Sequence, residues 1–302
     1  MSLVVKDALG MAQTQLERNG RSDAKLDSEL IFRHMFGVDK MGLFKLWGTT
    51  LDDSQCDQYF DLVAIRAAGK PLQYITGEQA FMGLSFEVNE KVLIPRQDTE
   101  TLVEEVVSII ERSAKKKYTI LDLCCGSGAI GISIASLCSH VKVTASDVSH
   151  DALMVARKNA TKLKVEKKVT FVESDLLARF KRRFRPVQFD MIVSNPPYIE
   201  SHIIPTLQTE VKDHEPLIAL DGGPDGLDFY RRIIYEAPTH LKKDGILVLE
   251  IGHDQAEAVK ALVNLKGLAN EGGLANGGKQ YRDVKIVQDL AGNDRVAVIE
   301  KL

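Results

Sequence analysis

The pattern of hydrophobic and polar positions divides the chain near residue 80. Between Val4 and Ala68, apolar residues recur at helical spacing, which places them on one face of each helix. Gly69 and Pro71 end this region, because neither residue continues a helix well. Leu26, Leu30 and Ile31 fall on one face, and an amphipathic run continues over Tyr59, Leu62, Val63 and Ile65 to Arg66. We predict a small helical domain over residues 1–80.

The next segment changes to a period of two. Leu84, Phe86 and Val88 alternate with polar residues, and the apolar run Val92–Ile94 follows after a polar turn. Such alternation is typical of strands with one buried face. The pattern predicts a β-hairpin over residues 81–95 that links two domains.

From residue 96 to residue 302, short apolar runs alternate with helical stretches. One predicted helix is Ser149–Leu163, with Ser149 as its N-cap and Asp151 in its first turn. Strands that alternate with helices indicate an α/β fold whose parallel sheet is covered on both faces. Ligands of such sheets bind beyond the carboxyl ends of the strands. The predicted strands are Tyr118–Leu123, Val141–Ala145, Val169–Val172, Phe189–Val193 and Ile246–Ile251.

Composition excludes several classes of protein. The 302 residues are 44% hydrophobic, which is enough apolar surface for two cores, and the net charge of −3 provides no general attraction to nucleic acid. No run reaches the roughly 18 apolar residues of a membrane-spanning helix. The first twenty residues contain Asp7 and Glu17 instead of a basic segment followed by an apolar one. We therefore expect a cytoplasmic globular protein that binds no membrane and does not bind nucleic acid directly.

The cysteines and the glycine-rich stretch carry little chemistry. Cys56, Cys124, Cys125 and Cys138 lack the paired spacing of a zinc site or a disulfide framework, so we expect neither, and no metal. The stretch 267–279 predicts a mobile loop before the last two strands.

A glycine loop follows the first predicted strand of the α/β region. Gly126, Gly128 and Gly131 form a complete G-x-G-x-x-G pattern at the start of a helix, where glycine lets a ligand approach the backbone and the helix offers unpaired N–H groups. Asp147, at the end of the second strand, is placed to accept hydrogen bonds from both ribose hydroxyls of an adenosine. The pattern predicts a nucleoside-containing cofactor; the alternative is a tight turn without a ligand. The predicted loop residues are Cys124, Cys125, Gly126, Ser127 and Gly128.

Acidic residues decide between cofactors. Asp122, just before the loop, would repel a pyrophosphate but attract the ammonium or sulfonium of S-adenosylmethionine, so we predict that cofactor. Asp175, after the third strand, is suited to accept from an adenine amino group, and Leu176 could cover the ring. The alternative for Asp175 is a solvated loop carboxylate.

The fourth strand ends in Asn195-Pro196-Pro197-Tyr198. The Asn195 side-chain oxygen and the Pro196 carbonyl can accept the two N–H bonds of a planar nitrogen and aim its lone pair at a methyl donor. Tyr198 offers a flat face on which an amide or a base can stack. A rigid turn without a ligand is the alternative. The motif resembles methyltransferases that act on adenine amino groups or glutamine amides.

Further blocks make the resemblance more specific. Lys70–Gly77, Val92–Glu100 and Asp289–Arg295, together with the motif at Asn195, resemble the HemK/PrmC family of release factor glutamine N5-methyltransferases over nearly the whole chain. Glu250-Ile-Gly252 is similar to a family feature, or is a buried strand end. The chain departs from the family at Gln97, where proline is common, at Cys124-Cys125 and at Leu176.

The resemblance implies a fold and a substrate. It implies a Rossmann-like class I methyltransferase sheet, mostly parallel and of seven strands, over residues 96–302. It also implies that residues 1–80 dock a peptide chain release factor whose Gly-Gly-Gln glutamine is methylated. Asn195, Pro196 and Tyr198 would be catalytic, and Pro197 would join them in binding the substrate.

Other functions remain open from the residues alone. An adenine amino-methyltransferase acting on DNA or RNA would need a basic surface, yet the only dense basic run is Lys181–Arg185. A non-catalytic module that binds release factors is a third possibility. A nicotinamide oxidoreductase would need a proton-relay residue, and the sequence shows no candidate.

Overall fold

A computed structural model describes residues 2–181, 186–265 and 280–302. The glycine-rich stretch 267–279 and most of the basic run 181–185 lie outside these residues. The chain divides into two compact units: Met1–Glu78 with Leu207–His214, and Gln79–Thr206 with Glu215–Leu302. Among the described residues, no helix has the length and apolar character needed to cross a membrane.

The helices and strands are numbered in chain order. The helices are α1 Val5–Arg18, α2 Ala24–Phe36, α3 Lys40–Leu46, α4 Asp53–Ala67, α5 Leu72–Thr76, α6 Glu100–Arg112, α7 Ala129–Leu137, α8 His150–Lys162, α9 Thr209–Lys212, α10 Asp228–His240 and α11 Ala256–Asn264. The strands are β1 Leu3–Val4, β2 Thr50–Leu51, β3 Glu78–Phe81, β4 Leu84–Glu87, β5 Tyr118–Leu123, β6 Val141–Asp147, β7 Val169–Glu173, β8 Phe189–Ser194, β9 Leu241–Glu250, β10 Tyr281–Gln288 and β11 Asp294–Lys301. Short 3-10 turns include Gln97–Thr99.

The first unit is helical, with a core between α1, α2 and α4. Ile31, Phe32, Tyr59 and Val63 are fully buried there. The rings of Phe32 and Tyr59 meet edge to face, with centroids 5.6 Å apart, which is a favoured aromatic geometry. The Tyr59 hydroxyl donates to the Ser28 carbonyl at 3.0 Å. The core therefore contains polar groups that hydrogen-bond inside it.

The apolar pattern misplaces part of the buried face in this unit. Leu26 and Ile65 belong to the apolar pattern of this region, but they are 53% and 43% exposed. Asp27 and Arg66 are buried instead and form an ion pair of 2.6 Å. Glu210, from the segment Leu207–His214, adds a second carboxylate to Arg66 at 2.7 Å. A buried charge is stable only when it is paired. The mutual pairing of these three side chains therefore explains why charged residues are buried where hydrophobic spacing predicts apolar ones.

The hairpin lies earlier than the pattern predicts. Leu84–Glu87 is its second strand, paired with Glu78–Phe81, and the run Val92–Ile94 is not a strand. The two turn residues, Met82 and Gly83, have φ of 50° and 71°. Positive φ at both central residues is the turn geometry that matches the twist of a two-residue hairpin. Methionine rarely adopts that geometry, so the turn carried no clear sequence signal.

The second unit is built around a seven-stranded sheet. Its strand order is β10-β11-β9-β8-β5-β6-β7. The strands from β9 to β7 are parallel. At the other edge, β11 is antiparallel to both of its neighbours, β9 and β10, so β10 runs in the same direction as the parallel strands. This confirms the predicted mostly parallel sheet. Ser149 caps α8 as predicted, because its Oγ accepts from the N–H of Ala152 at 3.2 Å.

The order of the strands sets the position of the ligand edge. β5 lies between β6 and β8. The chain therefore continues from β5 to β6 and β7 on one side, and then crosses to β8 on the other side of β5. Such a switch point opens a crevice beyond the carboxyl ends of the strands. Leu123 pairs with Ser146 on one side and with Ser194 on the other. Positions 124, 147 and 195 therefore leave three adjacent strands at the same level.

Candidate active site

The glycine loop turns sharply between β5 and α7. Cys124, Gly126 and Gly128 have φ of 56°, 52° and 81°, a region that favours glycine over residues with a Cβ. The N–H of Gly128 donates to the Cys125 carbonyl at 2.7 Å and closes the turn. A Cβ on Gly126 would meet no atom within 4 Å. The loop backbone at Gly126 therefore faces open space that a ligand can enter.

The two cysteines of the loop are not reactive nucleophiles at neutral pH. Cys125 is buried and Cys124 is half-buried. Burial raises the pKa of both thiols above their ordinary value; nearby carboxylates raise it further, mainly that of Asp147 for Cys124 and that of Asp122 for Cys125. Because only a thiolate reacts readily, the raised pKa values argue against a nucleophilic role for either side chain.

Asp147 holds the glycine loop in place. One oxygen of its carboxylate accepts from the N–H of Gly126 at 2.9 Å, and the other accepts from the N–H of Ser149 at 2.9 Å. Burial raises the pKa of this carboxyl, and the backbone N–H groups oppose that rise. Each oxygen has two lone pairs and so keeps acceptor capacity for a ligand. The predicted contact with a ribose is compatible with this geometry and stays a prediction.

Asp122 is fully buried beneath the loop. Its Oδ2 accepts from the N–H of Gly131, on α7, at 2.9 Å. Its Oδ1 is buried and accepts no hydrogen bond from any residue that the structure describes. Burial raises the pKa of the carboxyl to about 7. An oxygen of this kind is a place where a cationic or N–H group of a ligand would be stabilised.

Gly131 provides a direct test of this packing. A Cβ at Gly131 would lie 2.7 Å from Asp122 Oδ2 and 2.9 Å from Val143 Cγ1. We expect Gly131→Ala to displace the Asp122 carboxyl, to cost about 1–3 kcal/mol of stability, and to weaken S-adenosylmethionine binding. Calorimetric titration and urea unfolding measure the two effects.

The matched control is Gly10→Ala on α1, where a Cβ would meet nothing within 4 Å. We expect this variant to bind normally and to gain about 0.5–1 kcal/mol, because alanine favours a helix interior. Normal cofactor affinity in Gly131→Ala would contradict the role assigned to this contact.

Asn159 is a loop contact that the sequence did not reveal. This fully buried residue of α8 donates from Nδ2 to the Ser127 carbonyl at 3.0 Å and to the Glu87 carbonyl at 3.0 Å. Its Oδ1 accepts from the N–H of Glu87 at 2.6 Å. Asn159 thus ties the glycine loop to β4. No local motif marks it, because both partners are distant in sequence.

Asp175 and Leu176 follow β7 as predicted, but their surroundings differ. The Asp175 side chain is 57% exposed, and both of its oxygens accept from Arg232 Nη2, at 2.8 and 2.7 Å. Leu176 is buried in the core with φ of 45°, and its carbonyl accepts from Ser174 Oγ at 2.7 Å. The predicted contacts with an adenine stay predictions, and Asp175 would have to share an oxygen with Arg232.

The acceptor motif begins where β8 ends. Asn195 Nδ2 donates to the hydroxyl of Thr99 at 3.3 Å, which leaves Asn195 Oδ1 to accept from another group. Pro196 and Pro197 are buried behind it, and Tyr198 is half-buried. The Tyr198 hydroxyl donates to Glu250 Oε1 at 3.4 Å. The motif is therefore anchored by side chains and still offers an acceptor oxygen.

The backbone of Tyr198 is clamped as well. Gln255 Nε2 donates to the Tyr198 carbonyl at 3.0 Å, and Gln255 Oε1 accepts from the Gly252 N–H at 2.9 Å. A Cβ on Gly222 would lie 2.6 Å from Tyr198 Cα, and one on Gly226 would lie 2.4 Å from the Tyr198 carbonyl oxygen. Only glycine fits at those two positions. Sequence reasoning missed these residues, since their glycines resemble those of an ordinary loop.

Blocks that are distant in sequence converge behind the motif. Arg295 Nη2 lies 3.1 Å from Asp98 Oδ2 and 3.1 Å from Asp289 Oδ2. Glu250, at the end of β9, is buried with 1% exposure. Burial raises the pKa of Glu250 to about 7, although the nearby Thr99 hydroxyl and the positive charge of Arg295 lower it. Residues from the blocks 92–100, 250–252 and 289–295 therefore lie close together in the structure.

Known proteins match both units. The PrmC N-terminal domain family matches residues 7–77, and the Methyltransferase small domain family matches residues 98–211. The release factor glutamine methyltransferase of Clostridium acetobutylicum is 40% identical over 294 residues, covering 97% of this chain and 97% of the relative. The protein of the same name from Moorella thermoacetica is 39% identical over 293 residues, again covering 97% of each.

A solved structure supports the fold alone. The hMettl16 catalytic domain in complex with the MAT2A 3′UTR hairpin 6 is 12% identical, with a TM-score of 0.53 over 84% of each chain. The seven-stranded sheet and this likeness confirm the predicted class I methyltransferase fold. The two relatives confirm the resemblance of the sequence blocks, and they match nearly the whole chain. The chain therefore belongs to the release factor glutamine methyltransferase family.

Proposed function

We propose that this protein transfers the methyl group of S-adenosylmethionine to the side-chain amide nitrogen, N5, of the glutamine in the Gly-Gly-Gln motif of peptide chain release factors. The observation that carries the proposal is the register of the sheet. It places the glycine loop after β5 beside Asn195 after β8, on adjacent strands. Adjacent strands lie about 5 Å apart, so donor and acceptor groups meet at one edge. The names of the full-length relatives supply the substrate.

The loop has features that fit S-adenosylmethionine. Gly126 faces open space, and the Asp122 Oδ1 is a buried acceptor in need of a donor. Asp147 would hold the ribose while it holds the Gly126 N–H, and Asp175 and Leu176 would lie toward the adenine. The bound cofactor would supply a methyl group activated by the positive charge on sulfur. As the nitrogen–methyl bond forms, the sulfur–methyl bond breaks, the neutral thioether S-adenosylhomocysteine leaves, and the nitrogen gives up one of its protons to water.

The acceptor residues would prepare a poor nucleophile. The lone pair of an amide nitrogen is conjugated with the carbonyl, so the nitrogen must be oriented before it can attack. Asn195 Oδ1 and the Pro196 carbonyl would accept its two N–H bonds and direct the lone pair toward the methyl group. These hydrogen bonds strengthen as the nitrogen gains positive charge, which stabilises the transition state. Tyr198 would hold the planar amide by stacking.

Mass spectrometry tests the proposal. A purified release factor is incubated with the protein and S-adenosylmethionine, and the modified residue is located by fragmentation. We expect one added methyl group on the glutamine of the Gly-Gly-Gln motif. An adenine-containing DNA or RNA is offered in parallel as a competing acceptor. Methylation of the nucleic acid, with none on the release factor, would contradict the proposal.

The helical unit is proposed to bind the release factor outside the Gly-Gly-Gln segment. Its surface exposes several large apolar side chains: Met41 at 65%, Phe44 at 65% and Trp47 at 37%. Phe44 and Trp47 stack with ring centroids 5.8 Å apart and line a groove of about 580 Å³. Exposed aromatic residues of this kind are typical anchors at protein interfaces.

We expect Phe44→Ser to lower kcat/KM for an intact release factor about tenfold, as the loss of one interface anchor does. Activity on a short peptide containing Gly-Gly-Gln should not change. The control is Leu137→Ser in the other unit, an apolar residue with 51% exposure. Equal losses on the intact protein and the peptide would remove the docking role. Deleting residues 1–80 is a poorer test, because Glu210 would lose Arg66.

A further inference from the structure

The side chain of Gln255, which follows β9, joins three segments of the chain. Its Nε2 donates to the Tyr198 carbonyl at 3.0 Å and to the Gly226 carbonyl at 3.4 Å. Its Oε1 accepts from the N–H of Gly252 at 2.9 Å and from the Tyr230 hydroxyl at 3.2 Å. A side-chain amide has two N–H donors and two acceptor lone pairs. All four are used, and one of them holds the acceptor motif.

The partners of Gln255 fix the direction of its amide. A backbone N–H only donates, and a backbone carbonyl only accepts. If the amide turned by about 180°, its NH2 would face the N–H of Gly252 and its oxygen would face the carbonyl of Tyr198, and neither pair forms a hydrogen bond. The direction therefore follows from main-chain groups, and it does not depend on the ionisation of a side chain.

Helix capping does not account for a glutamine at this position. Gln255 is the residue that precedes α11, but its side chain makes no capping hydrogen bond to that helix. Capping residues are usually serine, threonine, aspartate or asparagine, whose short side chains reach the first N–H groups of the helix. The longer side chain of Gln255 reaches Tyr198 instead, 57 positions away in sequence. The side chain therefore supports the acceptor motif and not its own helix.

The Tyr198 carbonyl anchors the end of the acceptor motif. The two prolines before it have no N–H group, so they cannot donate a hydrogen bond from the backbone. Gly222 and Gly226 pack closely against this peptide, since a Cβ on them would lie 2.6 Å from Tyr198 Cα and 2.4 Å from its carbonyl oxygen. Packing thus limits where the Tyr198 backbone can lie, and the hydrogen bond from Gln255 sets the direction of its carbonyl.

We propose that Gln255 is a positioning residue for the acceptor site. By holding the Tyr198 carbonyl, it places the Tyr198 ring and the Pro196 carbonyl where the substrate amide meets them. The proposal rests on the proposed function, in which these two groups bind the glutamine amide. In the sheet, β8 lies between β9 and β5. Gln255 follows β9 and the glycine loop follows β5, so a change at Gln255 should affect the acceptor and spare the cofactor.

Gln255→Glu tests the proposal with the least change of shape. Glutamate keeps an oxygen for the Gly252 N–H, but it replaces the donor to Tyr198 with a second acceptor. We expect kcat/KM for a release factor to fall about tenfold or more, since small displacements of reacting groups cost up to about a hundredfold. The Kd for S-adenosylmethionine should change less than about twofold, because sites that share no partner are nearly independent. Gln255→Met keeps the length and also removes the donor, so it decides the matter if Gln255→Glu fails to fold.

The KM for the release factor separates positioning from a purely structural role. Partial unfolding lowers kcat per total enzyme and leaves KM unchanged, whereas loss of positioning should raise KM. The matched control is Tyr281→Phe, which loses a buried hydrogen bond of 2.8 Å to the Ile234 carbonyl in the same unit and should keep a normal KM. Folded enzyme is counted by cofactor titration. A normal kcat/KM per folded enzyme in both Gln255 variants would overturn the proposal and leave the proposed function intact.

A nuclear magnetic resonance experiment reads the contact without a substrate. Labelling tyrosine carbonyls with 13C and isoleucine nitrogens with 15N selects the places where isoleucine follows tyrosine, and the chain has two, Tyr74–Ile75 and Tyr198–Ile199. In Gln255→Glu, the Tyr198 carbonyl signal should shift, while the Tyr74 signal stays in place as an internal control. An unshifted Tyr198 signal would overturn the inference. A shift in a protein that does not methylate a release factor would uphold the contact between Gln255 and Tyr198 and refute the proposed function.

Discussion

We expect replacement of Asn195 with alanine to lower the turnover of methyl transfer about a hundredfold or more, on the scale of losing one preorganised polar partner of a transition state. The affinity for S-adenosylmethionine should change only modestly. Asn195 follows β8 directly, and its Nδ2 is bound to Thr99, so its oxygen is the part left for a substrate. That oxygen matters most as the acceptor nitrogen loses its conjugation and gains charge, which places the effect on kcat.

Single-turnover methylation of a release factor measures this effect. Asn195→Asp keeps an acceptor oxygen but loses the donor to Thr99 and adds a charge, so we expect impairment as well. The control is Asn264→Ala at the exposed end of α11, which should react normally. A near-normal rate for Asn195→Ala would rule out the proposed acceptor site, whatever the family.

Changes at Tyr198 should separate stacking from hydrogen bonding. Tyr198→Ala removes the flat face and should chiefly raise KM for the release factor. Tyr198→Phe keeps the ring and loses only a long hydrogen bond of 3.4 Å to Glu250. It should therefore be mild if stacking is the main role. A larger loss in Tyr198→Phe than in Tyr198→Ala would contradict this assignment.

Replacing Asp147 with alanine should weaken S-adenosylmethionine binding at least tenfold. Two charge-assisted hydrogen bonds to ribose would each contribute about 1.5 to 3 kcal/mol. The same carboxylate accepts from the N–H groups of Gly126 and Ser149, so its loss also frees the glycine loop. Loss of the ribose hydrogen bonds and release of the glycine loop both reduce the affinity for S-adenosylmethionine, and the released loop is already altered in the ligand-free protein.

Calorimetric titration of the cofactor provides the measurement. The matched control is Asp151→Ala, one turn away on α8, whose side chain is 60% exposed and lies 3.5 Å from Lys91. Exposed ion pairs contribute little, so this variant should bind like the original protein. Asp147→Asn keeps one acceptor oxygen and should fall between the two. Unchanged affinity in Asp147→Ala would mean that the ribose lies elsewhere.

Patterns within short segments of the sequence were enough to predict several strands and helices of the second unit. β5 runs over Tyr118–Leu123 as predicted, and α8 begins after the predicted cap at Ser149. The last two strands, β10 and β11, were also expected after the glycine-rich stretch. These features depend on the period of apolar residues and on capping within a few positions, which a single sequence contains.

Tertiary structure decided what the sequence left open. In the first unit, Asp27 and Arg66 are buried because they meet each other and Glu210, while the apolar Leu26 is exposed. The earlier position of the hairpin depends on a turn at Met82 that no sequence preference marks. In both cases the local sequence pattern favoured a different arrangement, and the packing of the folded chain determined the observed one.

The candidate site shows the same division. Asp147 and Asn195 could be named from the sequence, because Asp147 ends one recognisable strand and Asn195 follows another. The residues that hold Asn195 and Tyr198 could not be named in this way. Thr99 binds Asn195, 96 positions away, while Glu250 and Gln255 bind Tyr198, 52 and 57 positions away. Hydrogen bonds between residues so distant in sequence form only when the sheet brings its strands together. They produce no periodic pattern of residues in the sequence. The sequence alone thus determined which residues end the strands, whereas the fold decided which partners hold them.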